Sequence, residues 1–202
     1  MQVKKAVFSS ALNLVKQLGW NDYALLKAVE EHSLSPASAR ALFPDGTYEI
    51  AEQLMIDWEN KMSMDTSNEE LEGLPLDKQL SLVLKKRLSY EEEFMPGWRE
   101  AMLAGAQFKH LDTTWNRLFS TMNTVWDMVG DESAGMEWYS KRLGLLQVFI
   151  ATECHMLHDA TPGFANTYQF LEQQLQGRSF AHIGDLFTLY FTYGQYIMEK
   201  AR

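Results

Sequence analysis

Glu153, His155, His158 and Asp159, with Cys154 among them, are the densest set of ligand-type side chains in the chain. Two histidines three residues apart share one face of a helix, the first requirement for a helical metal site. Zinc needs a third ligand, and no other residue is spaced toward this pair. A di-iron centre needs carboxylates from several helices together with Glu-x-x-His motifs, and the chain has none of those motifs. Cys154 beside His155 does not make a nucleophile and its base, because neighbouring helical residues point about 100° apart. A Gly-rich phosphate loop and a Gly-x-Ser-x-Gly elbow are both missing. The sequence therefore predicts no catalytic site and no metal, and the histidines are read as satisfied or exposed.

Binding chemistry is better represented. Trp138-Tyr139-Ser140-Lys141-Arg142 follows a Gly-Asp-Glu-Ser-Ala-Gly loop and opens a long helix. Adjacent residues diverge, so Trp138 and Tyr139 cannot both face a core, and partly exposed aromatics are typical anchors of protein interfaces. The alternative is ordinary helix packing with Lys141 and Arg142 solvated. Apolar stripes follow: Leu146, Phe149, Ile150 and Met156, then Phe164, Tyr168, Phe170, Leu171 and Leu175, then Ile183, Leu186, Phe187 and Tyr190. Such stripes build plain cores as well as the walls of apolar pockets. Glu69-Glu70 and Glu91-Glu92-Glu93 read as solvated helix ends or loops, or as acidic surface for a basic partner.

The elements that position these residues are helical. Val7, Ala11, Leu14, Val15 and Leu18 form a stripe over residues 3–18 that ends at Gly19, a usual left-handed helix stop. Asn21 or Asp22 caps a helix to Glu31, and Pro36 suits the first turn of a short helix over 35–42. After the Phe43-Pro44-Asp45-Gly46 break, Thr47 caps a helix to Met62. Residues 64–75 read as a loop. Further helices are predicted over 76–90, 96–107, 112–129, 133–158, 163–176 and 179–200, with no alternating strand pattern anywhere. The first three helices, with a tight turn between the second and third, make a helix-turn-helix unit.

Composition limits the function. The 202 residues are 46% hydrophobic, enough for a sizeable core, and fit one large compact unit. A net charge of −9, from 18 basic and 27 acidic residues, argues against nucleic acid, which is bound by surplus Lys and Arg. The short third helix offers only Arg40, with Glu30, Glu31, Asp45 and Glu49 around it, so phosphate is repelled there. One cysteine excludes an intrachain disulfide. No apolar run approaches the ~20 residues that span a bilayer. Residues 1–16 show neither a signal-peptide h-region nor an Arg-rich presequence.

Two resemblances organise these observations. "ALNLVKQLGW", "SLSPASARALFPDG" and "YEIAEQLMIDW" resemble the N-terminal domain of the TetR family. "VWDMVGDESAGMEWYSKRLGLL" followed by "ATECHMLHDATPGFANTYQFLEQQL" is similar to the lipid-binding accessory protein family of ubiquinone (coenzyme Q) biosynthesis. The expectation is an all-α, TetR-like fold. It has a helix-turn-helix region over 1–62 that has lost DNA binding, and a C-terminal lipid-binding and dimerisation bundle over 76–202. The resemblance implies a non-enzymatic homodimer without cofactor that holds an isoprenoid, quinone or phospholipid and presents it to the di-iron demethoxyubiquinone hydroxylase. It places such proteins peripherally on the matrix side of the mitochondrial inner membrane, or in the cytoplasm for a bacterial member. Trp126, Asp131, Trp138, Tyr139 and Arg142 are the implied partner-binding residues. Leu146, Phe149, Ile150, Phe164, Tyr168, Leu171, Leu186, Phe187 and Tyr190 are the implied lipid-binding ones. The last helix is apolar nearly all round, so it is either buried or lipid-facing. A ligand-responsive TetR-type regulator and a structural subunit of a membrane complex are the other functions open to this sequence.

Overall fold

Apolar residues three and four apart become helices in the computed structural model of the chain, which describes residues 2–176 and 180. In chain order these are α1 (Gln2–Leu18), α2 (Asp22–Glu31), α3 (Pro36–Leu42), α4 (Thr47–Asp65), α5 (Asn68–Leu71), α6 (Leu76–Ser89), α7 (Met95–Gly105), α8 (Leu111–Met128), α9 (Gly135–Met156) and α10 (Ala165–Leu175). Single 3-10 turns, Glu92–Phe94 and Pro162–Phe164, precede α7 and α10. Among the described residues there is no strand.

Packing divides the chain into two compact units that are not consecutive in sequence. The first runs to Asp57 and takes in Glu93–Thr114; the second is built from Trp58–Glu92 and from Trp115 onward. In the first, α2 packs on both α1 and α3, and α7 returns against α1. Val7, Ala11 and Val15 of α1 are buried, while Leu18, the last of the expected stripe, is exposed at the helix end. Gly19 stops α1 at φ +82°, where its amide donates to the Val15 carbonyl at 3.0 Å. Asn21 caps α2 by accepting from the Ala24 amide at 3.1 Å. Pro36 is the first residue of α3, as expected.

Thr47 is not the cap of α4. It is the first helical residue, and the chain enters through Gly46, with Glu49 reaching back to accept from the Asp45 amide at 3.0 Å. The aromatic core of this unit is Trp20 edge-on to Trp98, 5.4 Å between centroids, with Phe94 at 6.2 Å. Gly97 permits that arrangement, since a Cβ there would stand 3.0 Å from the Trp20 ring.

In the second unit α10 lies against α6 and α9. The buried face of α6 carries Leu80, Val83, Leu84 and Leu88, and that of α9 carries Leu145, Leu146, Phe149 and Ile150. The segment expected as loop over 64–75 contains the one-turn helix α5, which forms because Leu71 is buried there. The turn from α9 to α10 is built on Asp159, which accepts from the Thr161 amide at 2.9 Å and the Thr167 amide at 2.8 Å.

Candidate functional site

Two helices and the loop between them assemble the first candidate surface. The α8–α9 loop carries Asp131 and Ser133, and α9 opens with Met136, Glu137, Trp138 and Tyr139. Met136 is 68% exposed and Tyr139 51%, three apart on one face of α9, while Trp138 is half-buried between that face and the interior. The Trp138 ring meets Tyr139 edge-on at 4.8 Å and tilts against Phe119 of α8 at 5.6 Å. The expected divergence of the two aromatics is thus what the helix produces.

Beneath this face lies a charged brace. Arg142, 1% exposed, stacks its guanidinium 4.3 Å from the Trp138 ring centre. Its Nη1 donates to Asp131 Oδ2 at 2.6 Å, and its Nε donates to Asn123 Oδ1 at 2.9 Å. Asp131 also accepts from Lys141 Nζ at 2.7 Å and from Ser133 Oγ at 2.5 Å. Lys141 in turn pairs with Glu137 at 2.9 Å, one helical turn away. Burial pushes the Asp131 carboxyl up, but the hydrogen bonds from Lys141, Ser133 and Arg142 outweigh it and hold the group well below the carboxylate range. Arg142 is therefore an interior residue, not a solvated one.

Trp126 is interior too, 1% exposed. Its Nε1 donates to the Lys141 carbonyl at 3.1 Å, and its ring meets Phe180 edge-on at 5.3 Å. Phe180 lies against Gly144, where a Cβ would stand 2.9 Å from its ring. Of the residues assigned to a partner surface, Tyr139 and part of Trp138 are open to one. Arg142 backs Trp138, Asp131 holds Arg142, and Trp126 packs in the interior beneath Lys141. Met136 was missed by the sequence reading, although its spacing of three from Tyr139 was visible.

The residues expected to bind lipid separate in the same way. Leu146, Phe149, Ile150 and Leu171 are buried in the second unit, and Phe164 and Tyr168 are half-buried. Phe164 sits at φ +52° at the start of α10. Tyr168 donates its hydroxyl to Glu92; burial first, then that carboxylate, pushes its ionisation far up. Leu186, Phe187 and Tyr190, with the whole predicted final helix over 179–200, lie outside the described residues.

The Glu91–Glu93 run is not uniformly solvated. Glu93 is exposed and pairs with Lys16, Glu92 accepts from Tyr168, and Glu91 is fully buried against Arg87. A run of like charge says nothing about which member a neighbouring helix covers, and Arg87 four residues earlier was the signal available.

The residues with metal-like spacing have other partners. His155 Nδ1 is hydrogen-bonded with Thr167 Oγ1 at 3.1 Å, and its ring stacks on Phe170. His158 Nδ1 lies 3.1 Å from the Cys154 carbonyl. Burial pushes the Cys154 thiol up to about 12, so no thiolate exists there near neutrality. Among the described residues no three His, Cys, Asp or Glu side chains gather to hold a metal. Nor is any described helix long and apolar enough to cross a membrane.

Comparison with known proteins supports the recognition made from sequence. Residues 111–180 match the COQ9 family model. A probable ubiquinone biosynthesis protein of Dictyostelium discoideum, named coq9 and mitochondrial, is 28% identical over 86% of this chain and 59% of its own length. The mitochondrial ubiquinone biosynthesis protein COQ9 of Drosophila melanogaster is 28% identical over 86% of this chain and 54% of its own. The human one is 23% identical over 86% and 57%. The chain thus spans under two thirds of the length of these relatives. In structure it resembles a TetR transcriptional regulator from Nitrosomonas europaea, with a TM-score of 0.66 at 13% identity over 87% of this chain and 97% of that one. The all-α, TetR-like fold expected from the sequence is the fold observed.

Proposed function

Because this chain is related to the COQ9 ubiquinone biosynthesis proteins, named mitochondrial in those relatives, we propose that it serves ubiquinone biosynthesis by binding rather than by catalysis. It holds an isoprenoid or quinone lipid in the second unit and docks the di-iron demethoxyubiquinone hydroxylase on the Met136–Trp138–Tyr139 face. The observation that carries this reading is the brace behind the face. An aromatic pair left partly exposed is otherwise a solubility liability, yet here a buried ion pair, Arg142 with Asp131, holds it rigid. Rigid aromatic anchors lose little conformational freedom on docking, which is why such residues dominate interface energetics. Homodimerisation and peripheral contact with the inner membrane on its matrix side belong to the same proposal.

The regulator reading is weaker. The exposed face of α3 offers Arg40, while Glu30, Glu31 and Asp45 are exposed close by in sequence, so the charge balance there repels a phosphate backbone.

The test is a binding titration of the purified protein against purified hydroxylase, comparing wild type with Met136→Ala/Tyr139→Ala. Both replaced side chains are exposed, so the variant should keep its fold. It should bind about 30-fold more weakly, the effect of losing one interface hot spot. Unchanged affinity would remove this face from the proposal. Native mass spectrometry of the same preparation reads the other half: a co-purified quinone or isoprenoid near one per subunit is the expected result.

A further inference from the structure

The interior of the second unit contains a charge cluster that the proposed docking face does not use. Arg87, near the end of α6, and Glu91, one helical turn later, are both fully buried and ion-paired through Nη1 and Oε1. The Arg87 guanidinium lies 4.7 Å from the ring centre of Trp58 and 5.5 Å from that of Phe149. Glu153, also buried, acts on the Glu91 carboxyl, whose Oε2 has no hydrogen-bond partner among the described residues. The cluster thus gathers one guanidinium and two carboxyl groups in the interior. Burial pushes the Glu91 carboxyl up, against the pull of the Arg87 charge.

This arrangement is unfinished as a structural ion pair. Among the described residues, Arg87 Nε and Nη2 have no hydrogen-bond partner. Unpaired buried donors are rare in folded proteins and call for a reason. A purely structural pair in this position is replaceable by apolar side chains at little cost or with gain. Phe149 links the cluster to the lipid wall. It touches the guanidinium from the same helix that places Leu146 and Ile150 in the core.

We propose that Arg87 is the polar anchor of the lipid site, donating from Nε and Nη2 to an uncharged carbonyl oxygen at one end of an otherwise apolar ligand. This rests on the lipid-binding reading above and adds to it the chemical class of the recognised end. A phosphate or carboxylate does not suit the cluster, because Arg87 already faces the buried Glu91 carboxyl and a further anion would lie there without compensation. A bare hydrocarbon does not suit it either, since both donors stay unpaired. A carbonyl oxygen is carried by a quinone ring and by the ester of a glyceride, and both satisfy the same donors.

The test uses the full chain, stripped of lipid, with three probes: decylubiquinone, monoolein and the hydrocarbon squalene. Wild type should bind an oxygen-bearing probe about tenfold or more tightly than squalene, the discrimination expected when a buried donor pair is satisfied or left open. Arg87→Met/Glu91→Leu should retain helical circular dichroism and squalene binding while losing that preference. A preference that survives in the variant overturns the assignment. Infrared spectra of wild type with bound probe give a readout that needs no variant. The carbonyl band should move to lower frequency than in hexane, and an unshifted band also overturns the assignment. A larger preference for monoolein than for decylubiquinone identifies the ester as the recognised end, and the reverse identifies the quinone. Failure of all three probes to bind removes the lipid-binding reading itself, and the anchor with it.

Discussion

At the scale of single residues, the aromatic face of α9 separates side chains left open to solvent from those packed behind them. Tyr139 is half exposed and, among the described residues, meets the ring of its neighbour Trp138, so Tyr139→Ala should change folding stability by less than about 0.5 kcal/mol. Arg142→Ala is a different experiment. It leaves Asp131, 4% exposed at the side chain, with Lys141 and Ser133 but without its guanidinium. Breaking a buried pair from one side costs about 3–5 kcal/mol, and the surviving Lys141 contact should bring this case to about 3 kcal/mol. Urea denaturation of the two variants beside wild type checks both numbers. Equal losses in the two would mean that the brace carries no special share of the stability. Met136, which escaped the sequence reading, shows the limit of scanning for aromatics. Its thioether side chain is as open to a partner as Tyr139, and only exposure distinguishes it from a core methionine.

At the scale of elements, the α9–α10 turn fixes where α10 meets α6 and α9. Asp159 accepts from the amides of Thr161 and Thr167 and from both their hydroxyls, at 2.6 Å and 2.7 Å for the latter. Burial alone would raise its carboxyl, but these four donors depress it well below the ordinary range. Asp159→Ala strips the first turn of α10 of its acceptor and should cost about 2 kcal/mol, as for the loss of a strong cap. Hydrogen exchange should show the loss of protection concentrated in residues 165–175, with α1 and α2 unaffected; uniform loss would mean that the turn is not a local fastener. Because α10 supplies Leu171 to the interior and Tyr168 to Glu92, the same variant should also weaken lipid retention.

At the scale of the molecule, the two units should respond differently to acid. In the first, burial and the Lys109 charge lower His110, against the opposing pull of Asp45 and Glu52. A histidine depressed in the folded state contributes stability above its ordinary value of 6.5 that is lost as pH falls through the folded value. In the second unit, Asp131 and Asp159 are the strongly depressed groups. Their contribution is present above an ordinary 3.8 and is lost only below it. Glu91, raised by burial, acts in the opposite sense, since acid relieves the cost of ionising it. The first unit should therefore weaken as pH falls below the ordinary histidine value of 6.5, while the second holds to below about 4. Fluorotryptophan NMR can follow the two separately, Trp20 and Trp98 reporting the first and Trp126 and Trp138 the second. Coincident loss of both sets of signals would contradict the assignment.

The sequence by itself determined the all-α class, the helix stop at Gly19, the helix start at Pro36, and a cap for α2 at Asn21 or Asp22, which the structure places on Asn21. Each of those rests on interactions within a few residues, and local spacing is written directly in the chain. It also carried enough of the ubiquinone-biosynthesis pattern to name the aromatic pair on α9. Only the tertiary structure decided that Trp126 and Arg142 face inward behind that pair and that Met136 faces out. It also decided that Glu91, in a run that reads as solvated, is buried with Arg87. The burial of a charge depends on what distant helices bring to it: here Trp58 from α4, and Phe149 and Glu153 from α9. No spacing within α6 encodes those neighbours, so the candidate anchor of the lipid site was out of reach until the helices were assembled.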